Sequence, residues 1–210
     1  MIGIVTQTLE EGMKTDPAFT GYTSYIMSSY VDFIMSAGAR VVPLIYNEDM
    51  KSIDDKLSKL NGVLFPGGDG DYTVLGNYIY DKIKDYNDKK DYFPLWGTCL
   101  GYENIANYSS TSRNVLEKFE YDHGSLTLNF SGVDPKKTQM YGWLGDRAYL
   151  FETHAMLYNA HTWGIDPTKF TTDAGLKDMF KVTAVSYMPE PDGRPFVASI
   201  ESFKYPIFGT

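Results

Sequence analysis

The chain has 210 residues, 43% of them hydrophobic and 22% charged, which is enough apolar material for one packed domain with decorations over residues 1–210. Its formal net charge of −8 argues against nucleic-acid binding, since such proteins concentrate Lys and Arg on a basic face. No stretch of 18 apolar residues reads as a membrane span, and the first residues carry no basic region followed by an apolar one.

A single cysteine, Cys99, cannot form an internal disulfide, which fits a reducing compartment and an exported protein equally. Asn107-Tyr108-Ser109 and Asn129-Phe130-Ser131 match the glycosylation acceptor pattern, which has meaning only in a secretory lumen.

In chain order, Met1 to Thr6 reads as a continuous apolar strand beginning almost at the first residue, and this start looks trimmed. Residues 23–37 place Ile26, Tyr30, Phe33, Ile34 and Ala37 at helical spacing, with Gly38 just past the end, which predicts a helix packed along that face. Arg40 to Ile45 is the next strand, a helix over 50–59 turns Leu57 and Leu60 inward, and Gly62 to Phe65 is a third strand. A helix over 73–88 leads to the strand Phe93 to Trp96. Buried strands alternating with helices predict an α/β fold with a mostly parallel, doubly wound sheet.

Beyond residue 110 the pattern changes to strand-like runs at Ser125–Phe130, Thr183–Tyr187, Phe196–Ile200 and Tyr205–Phe208, separated by turn-rich loops such as 189–195. These are expected as antiparallel additions to the same sheet. No internal repeat or low-complexity tract interrupts the chain.

Gly97-Thr98-Cys99-Leu100-Gly101 follows an apolar strand and precedes a helix over Tyr102–Tyr108, the layout of a nucleophile elbow. A side chain on so tight a turn sits on strained backbone, and flanking glycines let strand and helix approach closely. At a helix N-terminus the sulfur meets unpaired N–H groups and the positive end of the dipole, which favour thiolate over thiol. Two readings of Cys99 stand here: a reactive nucleophile and a small buried hydrophobe. At the carboxyl end of the preceding strand, Phe65-Pro66-Gly67-Gly68-Asp69-Gly70 forms a glycine-rich turn expected at the same sheet edge. Its N–H groups, with that of Leu100, suit an oxyanion hole; a plain tight loop and a weak carboxylate metal loop are the alternatives.

Three segments together resemble the gamma-glutamyl hydrolase family: Phe65 to Gly68, Phe93 to Glu103, and Ser29 to Pro43. Leu128 to Gly132, Asn159-Ala160-His161-Thr162-Trp163 and Glu201 to Gly209 extend the resemblance along nearly the whole chain. It implies a class I glutamine amidotransferase-like (flavodoxin-like) fold without metal or cofactor. The implied activity is cysteine-dependent cleavage of gamma-glutamyl amide bonds, as in folate polyglutamates. Cys99 would be the nucleophile, Gly68 and Leu100 the oxyanion donors, and Tyr30, Gly67, Glu103 and His161 would surround the substrate glutamate. By the same resemblance the protein is lysosomal, vacuolar or secreted, with a homodimer or a larger assembly among its expected states.

In that family the strand matching Tyr205 to Gly209 continues into a Gln-aromatic-His-Pro-Glu segment bearing the general base. The native chain is expected to continue past Thr210 with that histidine; of the three histidines present, His123, His154 and His161, the substitute base is His161. A glutaminase domain feeding a synthetase and a catalytically silent binding subunit are the competing readings. The acidic balance opposes steering of a polyanionic substrate, so attraction would need a local basic cluster, with Arg113 and Arg147 as candidates.

Overall fold

The first half of the chain builds its sheet from strands too apolar to face water on either side, and the helices between them supply the cover. In the computed structural model, which describes residues 1–130 and 132–210, β1 (Ile2–Val5) is followed by the short pair β2 (Gln7–Thr8) and β3 (Ser24–Tyr25) around α1 (Glu11–Thr15). Next come α2 (Ser28–Ser36), β4 (Val41–Leu44), α3 (Met50–Leu57), β5 (Val63–Phe65), α4 (Thr73–Asp88), β6 (Leu95–Gly97) and α5 (Leu100–Ser109). Strands β4, β1, β5 and β6 lie side by side in that order, all parallel, with Gly3 beside Val63 and Phe65 beside Gly97.

This order reverses direction between β1 and β5: the chain first adds β4 on one side of β1, then crosses to add β5 on the other. The carboxyl ends of β1 and β5 therefore form the topological switch point where α/β sheets open a crevice. The core is filled by Ile4, Val5, Leu44, Leu64, Phe65 and Leu95 from the strands, Ile53 and Leu57 from α3, and Leu75, Ile79 and Ile83 from α4, all nearly inaccessible to solvent.

The residues divide into two compact units, 1–105 and 106–210, and α5 runs through the division. In the second unit β7 (Glu117–Leu126) and β8 (Leu157–Gly164) form an antiparallel pair, with α6 (Leu150–Thr153) between them in sequence. After α7 (Lys169–Thr172) and α8 (Ala174–Met179), the antiparallel strands β9 (Phe180–Tyr187), β10 (Pro195–Ser202) and β11 (Ile207–Gly209) follow. Phe119, Met188 and Phe196 make a local apolar cluster that Tyr121 and Leu126 extend.

Two expectations need correction. Helix α2 is shorter than predicted and has no buried residue; Phe33 is 59% and Met35 58% exposed, so its apolar face is not a core face. Only Asn129 of the expected strand Ser125–Phe130 pairs outside β7, in an isolated bridge to Val185; the true strand starts earlier, at Glu117. Of the two acceptor triplets, Asn107 lies within α5 with its amide oxygen accepting from the Val115 N–H, and Ser131 of the second lies outside the described residues. No helix among the described residues is long and apolar enough to cross a membrane.

Candidate active site

Strand β6 delivers the chain to Thr98, whose N–H donates to the Phe65 carbonyl at 3.1 Å, and the next residue, Cys99, takes a positive φ of 54° before α5 begins. A non-glycine residue in this region is strained and holds its side chain where a relaxed strand or helix would not. Closing contacts fix the elbow. Gly101 N–H donates to the Thr98 carbonyl at 2.9 Å and Glu103 N–H to the Cys99 carbonyl at 2.9 Å. A Cβ on Gly101 would stand 2.2 Å from the Phe65 carbonyl oxygen, so only glycine lets α5 lie this close to β5.

The turn after β5 meets the elbow as the sequence predicts. A Cβ on Gly67 would come within 2.8 Å of the Cys99 Cβ, and Gly68 has φ 133°, which L side chains avoid. The N–H groups of Leu100 and Gly68 lie close enough to the Cys99 sulfur to favour its thiolate. Gly67 turns its own N–H elsewhere, to the Tyr30 hydroxyl oxygen at 2.8 Å, so Tyr30 reaches the site from α2. As an acceptor in this bond, the Tyr30 hydroxyl keeps its proton to donate, and among the described residues no acceptor for it is seen.

The electrostatics at Cys99 pull in opposite directions. The helix terminus was expected to favour the Cys99 thiolate, yet burial first, and then the charge of Glu103, push the thiol above its ordinary value. The N–H groups of Leu100 and Gly68 oppose that rise without cancelling it. Glu103, one turn along α5 and only 8% exposed, is itself raised to about 7, by burial first and then by the neighbouring charge of Asp69. Burial likewise raises Tyr30, against the lowering effect of the Gly67 N–H.

Sequence reasoning missed the support beneath the turn. Gln7, fully buried, donates from Nε2 to the Gly67 carbonyl at 2.8 Å and accepts at Oε1 from the Gly70 N–H at 3.0 Å. Tyr72 donates its hydroxyl to the Pro66 carbonyl at 2.8 Å. The one available signal was the polar run Thr6-Gln7-Thr8 following the apolar strand β1. A cleft of about 400 Å³ opens beside the turn, lined by Glu10, Glu11, Lys14, Asp69 and Asp71 among others; Cys99 does not line it. Among the described residues no group of three or more His, Cys, Asp or Glu side chains could hold a metal ion.

His161 belongs to the second unit, on β8 opposite Tyr121 of β7. Both ring nitrogens are buried without a hydrogen-bond partner, and a backbone group of Phe119 lies nearby without reaching hydrogen-bond geometry. The ring packs edge-on to Phe196 at 5.0 Å between centroids, and burial lowers its pKa.

The family model described as Peptidase C26 matches residues 1–123, which contain every element of the elbow and the glycine turn. Gamma-glutamyl hydrolase B of Dictyostelium discoideum is 36% identical over 99% of this chain and 60% of its own length. The gamma-glutamyl hydrolase of Rattus norvegicus is 33% identical over 99% of this chain and 64% of its own, and that of Homo sapiens 31% over 88% and 58%. The chain thus spans about three-fifths of the length of these curated relatives. Among solved structures, a "putative gmp synthase subunit a protein" from Thermoplasma acidophilum aligns with all of this chain and 81% of its own at a TM-score of 0.56 and 15% identity. At that identity the likeness speaks for the fold alone, a class I glutamine amidotransferase-like fold.

Proposed function

Because the chain belongs to the Peptidase C26 family, we propose that it is a cysteine-dependent hydrolase of gamma-glutamyl amide bonds, acting on poly-gamma-glutamate chains such as folate polyglutamates. The observation that carries this reading is the convergence of the Leu100 and Gly68 N–H groups on the sulfur of a Cys99 held at positive φ. Donors that face the sulfur in the resting protein stand where the oxygen of a carbonyl attacked by that sulfur acquires charge.

In the proposed reaction the Cys99 thiolate adds to the gamma-carbonyl carbon, the oxyanion is held by the Gly68 and Leu100 N–H groups, and the leaving amine departs with a proton. Water then hydrolyses the thioester, freeing the acyl fragment with a gamma-carboxylate and returning a proton to the sulfur. Burial keeps the resting thiol protonated, so attack requires a base to remove the proton as the substrate binds. Tyr30, with a free hydroxyl proton, and Glu103, which changes charge near neutral pH, are the groups proposed to hold the glutamyl moiety.

The test is glutamate release from a gamma-linked glutamate peptide by the protein with and without Cys99→Ala. Release that falls by at least ~1000-fold in the variant is expected. Release that survives Cys99→Ala would overturn the assignment of the nucleophile, and ammonia from free glutamine without cleavage of the peptide would overturn that of the substrate.

A further inference from the structure

The Gln7 side chain is a fully buried amide beneath the active-site turn, and its geometry admits a single orientation. Gly67 offers a carbonyl, which needs a donor, and Gly70 offers an N–H, which needs an acceptor; one primary amide satisfies both at 2.8 and 3.0 Å. The turn wraps around this amide so closely that a Cβ on Gly68 would stand 2.5 Å from Nε2 and 2.6 Å from Oε1. Directly beyond it, the Thr8 N–H donates to the Asp71 carbonyl at 3.1 Å and the Asp71 N–H donates to the Thr8 hydroxyl at 2.8 Å, so the whole segment is laced to β2.

The Gly67 carbonyl and the Gly68 N–H belong to the same peptide plane. Holding the carbonyl end toward Gln7 therefore fixes the direction of the N–H end, in a turn that packs directly against Cys99 and whose Gly68 N–H lies near the sulfur. Gly68 has no Cβ and sits at φ 133°, so its own conformational preference does little to hold this plane. Left alone, the peptide has an easy alternative: flip, and present its carbonyl oxygen to the sulfur.

We propose that Gln7 is a positioning residue for the reaction at Cys99, locking the Gly67–Gly68 peptide so that its N–H, and not its carbonyl, faces the oxyanion. It rests on the reading of Cys99 as a nucleophile and adds that half of the oxyanion hole is set from beneath by a side chain on the neighbouring strand end. The topological switch between β1 and β5 is what brings the two together.

The experiment compares the unsubstituted protein with Gln7→Leu, which removes both hydrogen bonds, and Gln7→Glu, which keeps an acceptor for Gly70 but, when ionised, repels the Gly67 carbonyl. Alkylation of Cys99 by iodoacetamide is followed against pH, a readout that needs no turnover, beside kcat and KM for a gamma-linked glutamate peptide. The alkylation profile of Gln7→Leu is expected to move to higher pH by about one unit, since a flipped peptide withdraws a donor from the sulfur. Its kcat is expected to fall ~100-fold with KM little changed, as for a displaced transition-state donor, and Gln7→Glu should lie between. If Gln7→Leu does not fold, Gln7→Glu carries both readouts. Superimposable alkylation profiles would overturn the proposal, whatever the variants do to thermal stability. Absence of peptide cleavage by the unsubstituted protein would count against the hydrolase reading and leave the alkylation comparison standing.

Discussion

Cys99 and His161 are both partly buried titratable side chains, and their surroundings differ in kind. The sulfur of Cys99 is met by two backbone N–H groups and lies among polar groups that are themselves anchored, Gly67 by Tyr30 and by Gln7. The ring of His161 is met by Tyr121 and Phe196, and neither of its nitrogens has a partner. A site made of main-chain donors is assembled by the turn together with the side chains that anchor it. A histidine among aromatic rings gains only packing from its neighbours and needs something else to give its polarity a use.

The harshest way to break the first environment is Gly101→Ala. The added Cβ would press on the Phe65 carbonyl oxygen from 2.2 Å, against backbone that cannot yield without separating α5 from β5. We expect a loss of roughly 4 kcal/mol or more in urea unfolding, accompanied by loss of any activity that depends on Cys99. A variant as stable as the parent would mean that the elbow relaxes far more easily than its packing indicates.

The glycines explain why this half of the site could be read in advance. Gly67, Gly68, Gly97 and Gly101 are forced by close approach or by positive φ, and a constraint of that kind leaves its mark on the residue type. Strands β1, β4, β5 and β6 and helix α4 were legible for a similar reason, as uninterrupted apolar runs alternating with helical spacing. The apolar face of α2 was visible too, but periodicity says only that Phe33 lies on a stripe, not whether anything covers it. Strand β7 was partly hidden because Glu117, Lys118, Glu120, Asp122 and His123 make its first half look like a loop; its side chains there are mostly exposed. Gln7 was one of three successive polar residues after β1, with nothing in the sequence to single it out. The elevated thiol of Cys99 could not be read at all, because desolvation and the charge of Glu103 arise only once the chain has folded.

Glu103 offers a sharper cut. Its carboxyl rises from 4.5 to about 7 in the folded protein, so between those values the folded state binds a proton that the unfolded state has released. Stability on this account is highest below pH 4.5 and falls as pH climbs through 7, by about 3 kcal/mol in all. Glu103→Gln should therefore be more stable than the parent at pH 8 and nearly equal to it at pH 4.5, in paired thermal or urea unfolding. The same substitution removes the charge that raises the Cys99 thiol, so alkylation at pH 8 should quicken. A stability difference that does not change with pH would show that Glu103 is already ionised and solvated at pH 4.5.

His161→Phe addresses the other side of the comparison and carries the smallest effect. Burial lowers the imidazole pKa in the folded protein, so the unfolded chain takes up a proton first as pH drops below 6.5. The neutral ring contributes its full packing above that value and loses stability progressively beneath it. A phenyl ring fits the same aromatic neighbours, leaves no buried nitrogen unpaired, and cannot be protonated. We expect His161→Phe to match the parent or exceed it by about 1 kcal/mol at pH 8, with the gap widening at pH 5. If the variant instead loses stability at pH 8, the imidazole nitrogens are engaged in hydrogen bonds within the second unit.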